Sequence, residues 1–497
     1  MRKFAWLLLT SGLILLALTN AGLISSGEEC LFSLSRHLPP IPPSTAFVDV
    51  AVIPMDRERI IEGQTVIVRA WVIKAIGNTD QVEVPLEAFI VDGRGRYLMP
   101  GLADMHVHVE YPNDLLLFVA NGVTTVRNMW GNTGKKLAIG LPDQLELRRL
   151  IAQGELLGPM IYTAGPVMEG SPAFHPLAEV FDSPEAARES VAWQKAQGYD
   201  FIKVYDHLSP EVYEAILDEA KQQQMPVVGH VPFAVGLDGV LASGQLTIEH
   251  LTGYIDPDAV EFIIPDDQRD EYAARTRQAG VWNCVTLVEY PKSKQPPEGF
   301  QRLQNQPGMA YLSPFTRMLS PFIYYMASKS HTYAGDDYAA RLAELDRQMV
   351  KALHEAGAGI LLGTDAAQAY HLPGFSIHEE LALLVEAGLT PYEALAAGTR
   401  DAAIAMGREG EFGLVAEGQR ADLLLLEANP LEDVMNADRR AGVMVRGRWF
   451  SESELQSLLD GLAASYAPSL SERLGPLALI ALAVYLFLRS KRHGEKR

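Results

Sequence analysis

Cysteine is nearly absent: Cys30 and Cys284 are the two in 497 residues. Two cysteines so far apart exclude a disulfide framework and a cysteine-rich zinc site. Basic residues fall short of acidic ones, 42 Lys and Arg against 62 Asp and Glu, which leaves a net charge of −20. That balance argues against a nucleic-acid partner. There is no convincing internal repeat. What remains, 48% hydrophobic and 21% charged residues, is the composition of a globular chain. Its length exceeds one ordinary domain, so one large domain and a smaller one are expected.

Charge is also missing from two stretches. After Met1-Arg2-Lys3 no charged residue occurs from Phe4 to Gly27. A basic start followed by a long apolar run reads as an export signal or a membrane anchor over 1–27, and the run from Phe4 to Ile24 is long enough to span a bilayer. Near the other end, Leu474–Leu488 is apolar and is followed by Arg489, Lys491, Arg492, Lys496 and Arg497. This run is shorter than the usual ~17–25 residues of a spanning helix, and Arg473 precedes it. The trailing basic cluster is nevertheless the mark of a cytoplasmic stop. Two basic ends place the body between them on the extracytoplasmic side, anchored to the membrane. A C-terminal helix packed on the body, or a sorting signal removed after export, are the alternatives for the second run.

Between these ends the chain reads in three parts. The short β-like runs Phe47–Ile53, Gln64–Ile73 and Glu83–Val91, within 45–100, suggest the first part of a small β-sandwich. Asp422–Leu426 and Val443–Phe450, with a hairpin turn at Arg446-Gly447-Arg448, supply the second part within 408–450. Residues 451–497 are expected to hold a helix, the apolar segment and the basic tail. The middle, 101–407, alternates strand and helix. Its strand candidates are Ala103–His108, Val123–Arg127, Met160–Ala164, Phe201–Tyr205, Pro226–His230, Leu246–His250, Val281–Leu287 and Gly359–Asp365. Eight strands alternating with helices predict an α/β fold, a (β/α)8 TIM barrel, with chemistry at the C-terminal ends of the strands.

Those ends carry the informative residues. His106 and His108, two apart on a strand, share one face and make half of a metal site. His230 ends the fifth strand, His250 the sixth and Asp365 the eighth. Lys203 sits inside the apolar fourth strand. A buried ammonium among metal ligands is costly, and burial favours the neutral amine. A neutral amine can take up carbon dioxide and become a carbamate whose two oxygens bridge two cations. The alternative is a lysine paired with a barrel carboxylate.

Taken with Met99-Pro100-Gly101-Leu102-Ala103-Asp104-Met105-His106-Val107-His108, Ile202-Lys203-Val204-Tyr205, Gly229-His230, Ile248-Glu249-His250-Leu251, Gly363-Thr364-Asp365 and Gly418-Gln419-Arg420-Ala421-Asp422-Leu423, the chain resembles the amidohydrolase superfamily. The likeness is to its imidazolonepropionase-like and Xaa-Pro dipeptidase-like branch and covers about residues 45 to 450. It implies a barrel paired with a small β-sandwich, and a binuclear centre bridged by carboxylated Lys203. By that pattern His106, His108 and Asp365 bind one divalent ion and His230 and His250 the other, with zinc favoured by the ligand chemistry.

The reaction expected of such a site is hydrolysis of an amide bond in a dipeptide such as Xaa-Pro or in a cyclic amide. A metal-bridging hydroxide would attack, with Asp365 as general base. A deaminase, a lactonase or esterase, and a non-catalytic membrane-tethered binding protein are the alternatives. The partners expected are a small-molecule substrate and a membrane, with a homo-oligomer left open. His175 and Tyr205 are candidates for substrate contact. His378 is expected to orient or cap the helix after strand eight, and His331 and His371 to lie in surface loops. Cys284 reads as a core residue, and the long connection Val288–Asp337 as a lid.

Overall fold

The computed structural model describes residues 30–38, 40–131, 142–173, 178–255, 264–289, 297–312, 317, 320–321, 338–367 and 370–466. The first strands are β1 (Thr45–Val52), β2 (Ile61–Arg69), β3 (Val72–Asn78), β4 (Phe89–Asp92) and β5 (Tyr97–Pro100). The run Gln64–Ile73 is not one strand. Ala70 and Trp71 take positive φ values of 49° and 72°, so the chain turns there and β2 pairs with β3 as a hairpin. Of Glu83–Val91 only the end enters a strand, β4.

The alternating part follows, with β6 (Leu102–Val107), β7 (Val123–Asn128), β8 (Met160–Thr163), β9 (Met168–Glu169), β10 (Glu179–Val180), β11 (Ile202–Val204), β12 (Val227–Gly229), β13 (Thr247–Glu249), β14 (Trp282–Cys284) and β15 (Gly359–Leu361). All their pairings are parallel. They run as β6-β7-β8 and as β10-β9-β11-β12-β13-β14-β15. Isolated parallel bridges at Ala164–Phe201 and Val107–Ala366 join the two groups. The body is therefore a TIM-barrel-like α/β fold.

Helices between the strands begin where the sequence provides caps. Ser183 and Ser209 accept the first free N–H groups of Pro184–Gln197 and Pro210–Gln222, each with proline in the first turn. Left-handed Gly198, Gly244 and Gly280 close three of the helices.

After the barrel-like part come β16 (Leu423–Leu426), β17 (Arg440–Val445) and β18 (Arg448–Ser451), which rejoin the first strands. The hydrogen-bonded order is β18-β17-β16-β5-β1-β2-β3, with β4 beside β1. The expected small β-sandwich is thus a single eight-stranded sheet built from both chain ends. Alternation explains why its central strands are apolar throughout. Leu423 and Leu425 of β16 pack with Phe47, Val66 and Val68 in the sheet's own core. Leu424 and Leu426 point the other way, into the core of the barrel-like body. Each such leucine contributes about 1.5–3 kcal/mol by burial. The sheet meets the body at the N-terminal ends of its strands: β5 leads directly into β6, and Gly122, just before β7, lies against Leu424.

Two peripheral helices flank the body. Cys30–Arg36 precedes the first strand, and Glu452–Ser465 starts from a capping box at Ser451. Asn113 joins them: its Oδ1 accepts from Leu31 N at 3.0 Å and its Nδ2 donates to Tyr466 Oη at 3.0 Å. Among the described residues no helix is long and apolar enough to cross a membrane. The apolar segments within 1–27 and Leu474–Leu488 lie outside the described residues.

Candidate metal centre

Four imidazoles, one aspartate and one lysine meet at the C-terminal ends of the parallel strands. His106 Nε2 lies 3.4 Å and His108 Nε2 2.9 Å from Asp365 Oδ1. The ring centroids of His106 and His250 are 4.4 Å apart, and those of His230 and His250 5.2 Å. His106, His108 and Asp365 bring one ligand atom each within 4.8 Å of the others. His250, Glu289 and Asp365 form a second such group.

Backbone geometry sets these side chains. Gly229 has φ of 138°, and a Cβ there would meet Val204 O at 2.2 Å, so only glycine lets β12 lie against β11 just before His230. Three residues at the strand ends hold left-handed backbone: His250 at φ 57°, Thr286 at 49° and Asp365 at 56°. Such conformations are costly for non-glycine residues and collect at functional sites. Asp104 ties two of the strands together. Its carboxyl accepts from Thr364 Oγ1 at 2.6 Å and Thr364 N at 3.0 Å, beside Asp365.

Lys203 is 2% exposed, and its Nζ has no hydrogen-bond partner among the described residues. The carboxylates of Glu249 and Asp365 are the negative charges that act on it most strongly. Burial pulls its pKa down from 10.5 to about 8, with Glu249 and Asp365 opposing. The neutral amine is therefore far more populated than in a solvated lysine, although the ammonium still predominates at pH 7.

The second ring nitrogens are held by groups that the sequence reading did not assign. His106 Nδ1 donates to Glu249 Oε2 at 2.7 Å, His230 Nδ1 to Asp206 Oδ1 at 2.7 Å, and His250 Nδ1 lies 2.7 Å from Thr286 Oγ1. A donated Nδ1–H leaves a lone pair on Nε2. His230 Nε2 is buried without a hydrogen-bond partner. An Nδ1-anchored imidazole with a free Nε2 is the arrangement of a metal ligand, so the residues present fit divalent ions. Burial pushes His106 down to about 4, with Lys203 reinforcing it, which keeps the ring neutral. Glu249 is held well below the usual carboxylate range: burial opposes ionisation, but Arg127 and His106 outweigh it. Arg127, 1% exposed, donates to both Glu249 oxygens at 2.8 and 2.9 Å. The signal for this pair was in the sequence, since charges inside apolar strands must find each other.

Of the other candidates, the Tyr205 ring lies 3.9 Å from that of His230. His175 and His331 lie outside the described residues. His371 is buried, 2% exposed, and not in a surface position. His378 is buried too, with Nε2 3.2 Å from Asn121 O. Cys284 is fully buried and sits beside His106 and Glu249. Of the connection 288–337, the described parts include the helix Pro297–Gln304 and the turn Met309–Tyr311.

A barrel-like α/β body with a ring of imidazoles and carboxylates at one end defines the class, a hydrolase of TIM-barrel-like fold. The chain belongs to the amidohydrolase family, whose model matches residues 97–450. It is an enzyme that hydrolyses carbon–nitrogen bonds, acting on amides. It is 25% identical to the ochratoxinase of Aspergillus niger over 397 residues, covering 68% of this chain and 71% of that one. Bottromycin amidohydrolase superposes with a TM-score of 0.68 at 25% identity, over 88% of this chain and 93% of that one. A Xaa-Pro dipeptidase with bound methionine shares the fold, with a TM-score of 0.62 at 20% identity, over 82% of this chain and all of that one.

Proposed function

We propose that the protein is a binuclear metal-dependent amidohydrolase that cleaves a peptide-like amide. The observation that carries this reading is Lys203, buried among His106, His108, His230, His250 and Asp365 with no hydrogen-bond partner for its Nζ among the described residues. A neutral Lys203 amine can attack carbon dioxide. The N–C bond forms, one N–H proton leaves to solvent, and the product is an anionic carbamate. This anion satisfies the position in which an ammonium would stand alone. His106, His108 and Asp365 would hold one divalent ion and His230 and His250 the other, with the carbamate between them. Zinc suits this mixture of imidazole and carboxylate. Two such ions supply Lewis acidity and lower the pKa of bound water.

The chain's own residues do the rest. Asp365 takes the proton of the attacking water and passes it to the leaving nitrogen. Glu249, Asp206 and Thr286 hold the rings of His106, His230 and His250 in one orientation. Tyr205, whose ring lies against that of His230, is assigned to substrate contact in this reading. A Xaa-Pro dipeptidase and a bottromycin amidohydrolase are among the similar proteins, which favours an amide such as a dipeptide over a free base. Hydrolysis should therefore be assayed on a panel of Xaa-Pro and other dipeptides, N-acyl amino acids, cyclic imides and lactones. Turnover of peptide-like amides, lost on chelation and restored by zinc, is expected. Turnover confined to nucleobases would replace this reading with a deaminase.

The same reading holds that the body stands on the extracytoplasmic side of a membrane. Its support is the basic residues outside each apolar segment, Arg2 and Lys3 before the first and the Arg489–Arg497 cluster after the second.

A further inference from the structure

The described residues nearest the two apolar segments meet at one place. The described residues begin at Cys30 and end at Tyr466. Leu31 N and Tyr466 Oη are both bonded to the side chain of Asn113, at 3.0 Å each. Asn113 lies five residues beyond His108, in the turn that leaves the C-terminal end of β6. The helix Glu452–Ser465 starts beside β18 in the sheet, at the N-terminal ends of the parallel strands, and ends at Asn113. The helix Cys30–Arg36 runs the opposite way: Leu31 is at Asn113, while Ser35 Oγ accepts from Leu157 N at 3.0 Å, just before β8. Both attachment points are therefore on the side of the catalytic mouth, and the eight-stranded sheet is on the far side.

We infer that the mouth of the catalytic site faces a phospholipid bilayer. This rests on the membrane-tethered reading given above. The connections are short: residues 25–29 separate Cys30 from the run ending at Ile24, and residues 467–473 separate Tyr466 from the run starting at Leu474. At ~3.3–3.6 Å per residue they reach at most about 20 and about 30 Å. Tethers of that reach hold the mouth side of the body, rather than the sheet, next to the membrane. The geometry is the same whichever segment is retained, because both attach at Asn113. The mouth also presents an apolar group to that side. Phe233, three residues beyond His230, is 68% exposed, with its ring centroid 5.4 Å from that of His207. Exposed apolar side chains also stand on the sheet, Phe89 and Ile90 of β4 among them, so the attachment points and not Phe233 carry the orientation. A bilayer there would present membrane-borne amphiphilic amides directly to the site.

The test uses the full-length chain reconstituted in phosphatidylcholine vesicles that contain a headgroup-nitroxide lipid. In a Cys30→Ser background, with Cys284 buried, a fluorophore is attached either at Ala234→Cys, exposed beside Phe233, or at Asp80→Cys, exposed at the far edge of the sheet. Quenching at position 234 is expected to exceed that at position 80 by threefold or more. Equal quenching, or stronger quenching at position 80, in protein that floats with the vesicles overturns the orientation and leaves the tether standing. Protein that fails to float with the vesicles overturns both.

Discussion

His106 and Glu249 stand 2.7 Å apart, Nδ1 to Oε2, although 143 residues separate them in the chain. Both are buried, and Arg127 neutralises the carboxylate from the other side. This carboxylate–imidazole contact fixes the tautomer of His106 and turns its Nε2 toward Asp365.

Glu249→Gln should weaken metal binding at the centre by ~10-fold or more, the usual effect of removing such a support. Titration of the apoprotein with zinc, followed by calorimetry, checks it. The same variant leaves Arg127 without a full counter-charge and should lower Tm. Unchanged zinc affinity would show that Glu249 serves only to pair Arg127.

Lys203→Ala should lose metal and activity together. A short carboxylic acid added to the variant should restore part of both by standing in for the carbamate. Elemental analysis gives the metal content directly, with close to two ions per chain expected in the wild type. Two ions retained by the variant without added acid would exclude a bridging Lys203.

Asp365→Asn keeps an oxygen for the metal and removes the basic carboxylate. Metal content should stay near that of the wild type while kcat falls by ~100-fold or more. Near-normal turnover would move the base elsewhere.

Glu380 predicts a pH dependence of stability away from the metal centre. It is fully buried, and its two oxygens accept from Leu287 N at 2.8 Å and Val288 N at 2.7 Å. Burial outweighs these bonds and raises its pKa from 4.5 to about 8. The folded state then binds more protons than the unfolded state between those pH values, so this group makes stability fall as pH rises through that window. The slope is at most ~1.4 kcal/mol per pH unit for one proton. Urea melts at pH 5 and pH 8 should show a smaller loss for Glu380→Gln than for the wild type. Identical slopes would mean that Glu380 is ionised throughout.

Topology can be read from fusions. A reporter active only in the cytoplasm should work after Arg497 and fail after Tyr466, which retains the packed helix Glu452–Ser465. Activity of both fusions would place the body in the cytoplasm.

Much of the barrel-like part was legible because its rules are local. Alternation along a strand places His106 and His108 on one face. Caps and glycines mark the helix ends, and a lysine or aspartate closing an apolar run stands out by its cost of burial. Local rules misjudged the first strands: the turn at Ala70-Trp71 depends on positive φ in two residues whose types do not call for it.

The sequence by itself singled out the candidates, since His106, His108, Lys203, His230, His250 and Asp365 each lie within or just beyond a short strand. Only the tertiary structure decided how they are held. Glu249 reaches His106, Asp206 reaches His230, and Asn113 joins both terminal helices, because contacts between distant segments are set by how strands and helices pack together. The single eight-stranded sheet belongs to the same order of facts. Its strands come from both chain ends, and no local pattern specifies a partner more than 300 residues away, as Leu424 pairs with Met99.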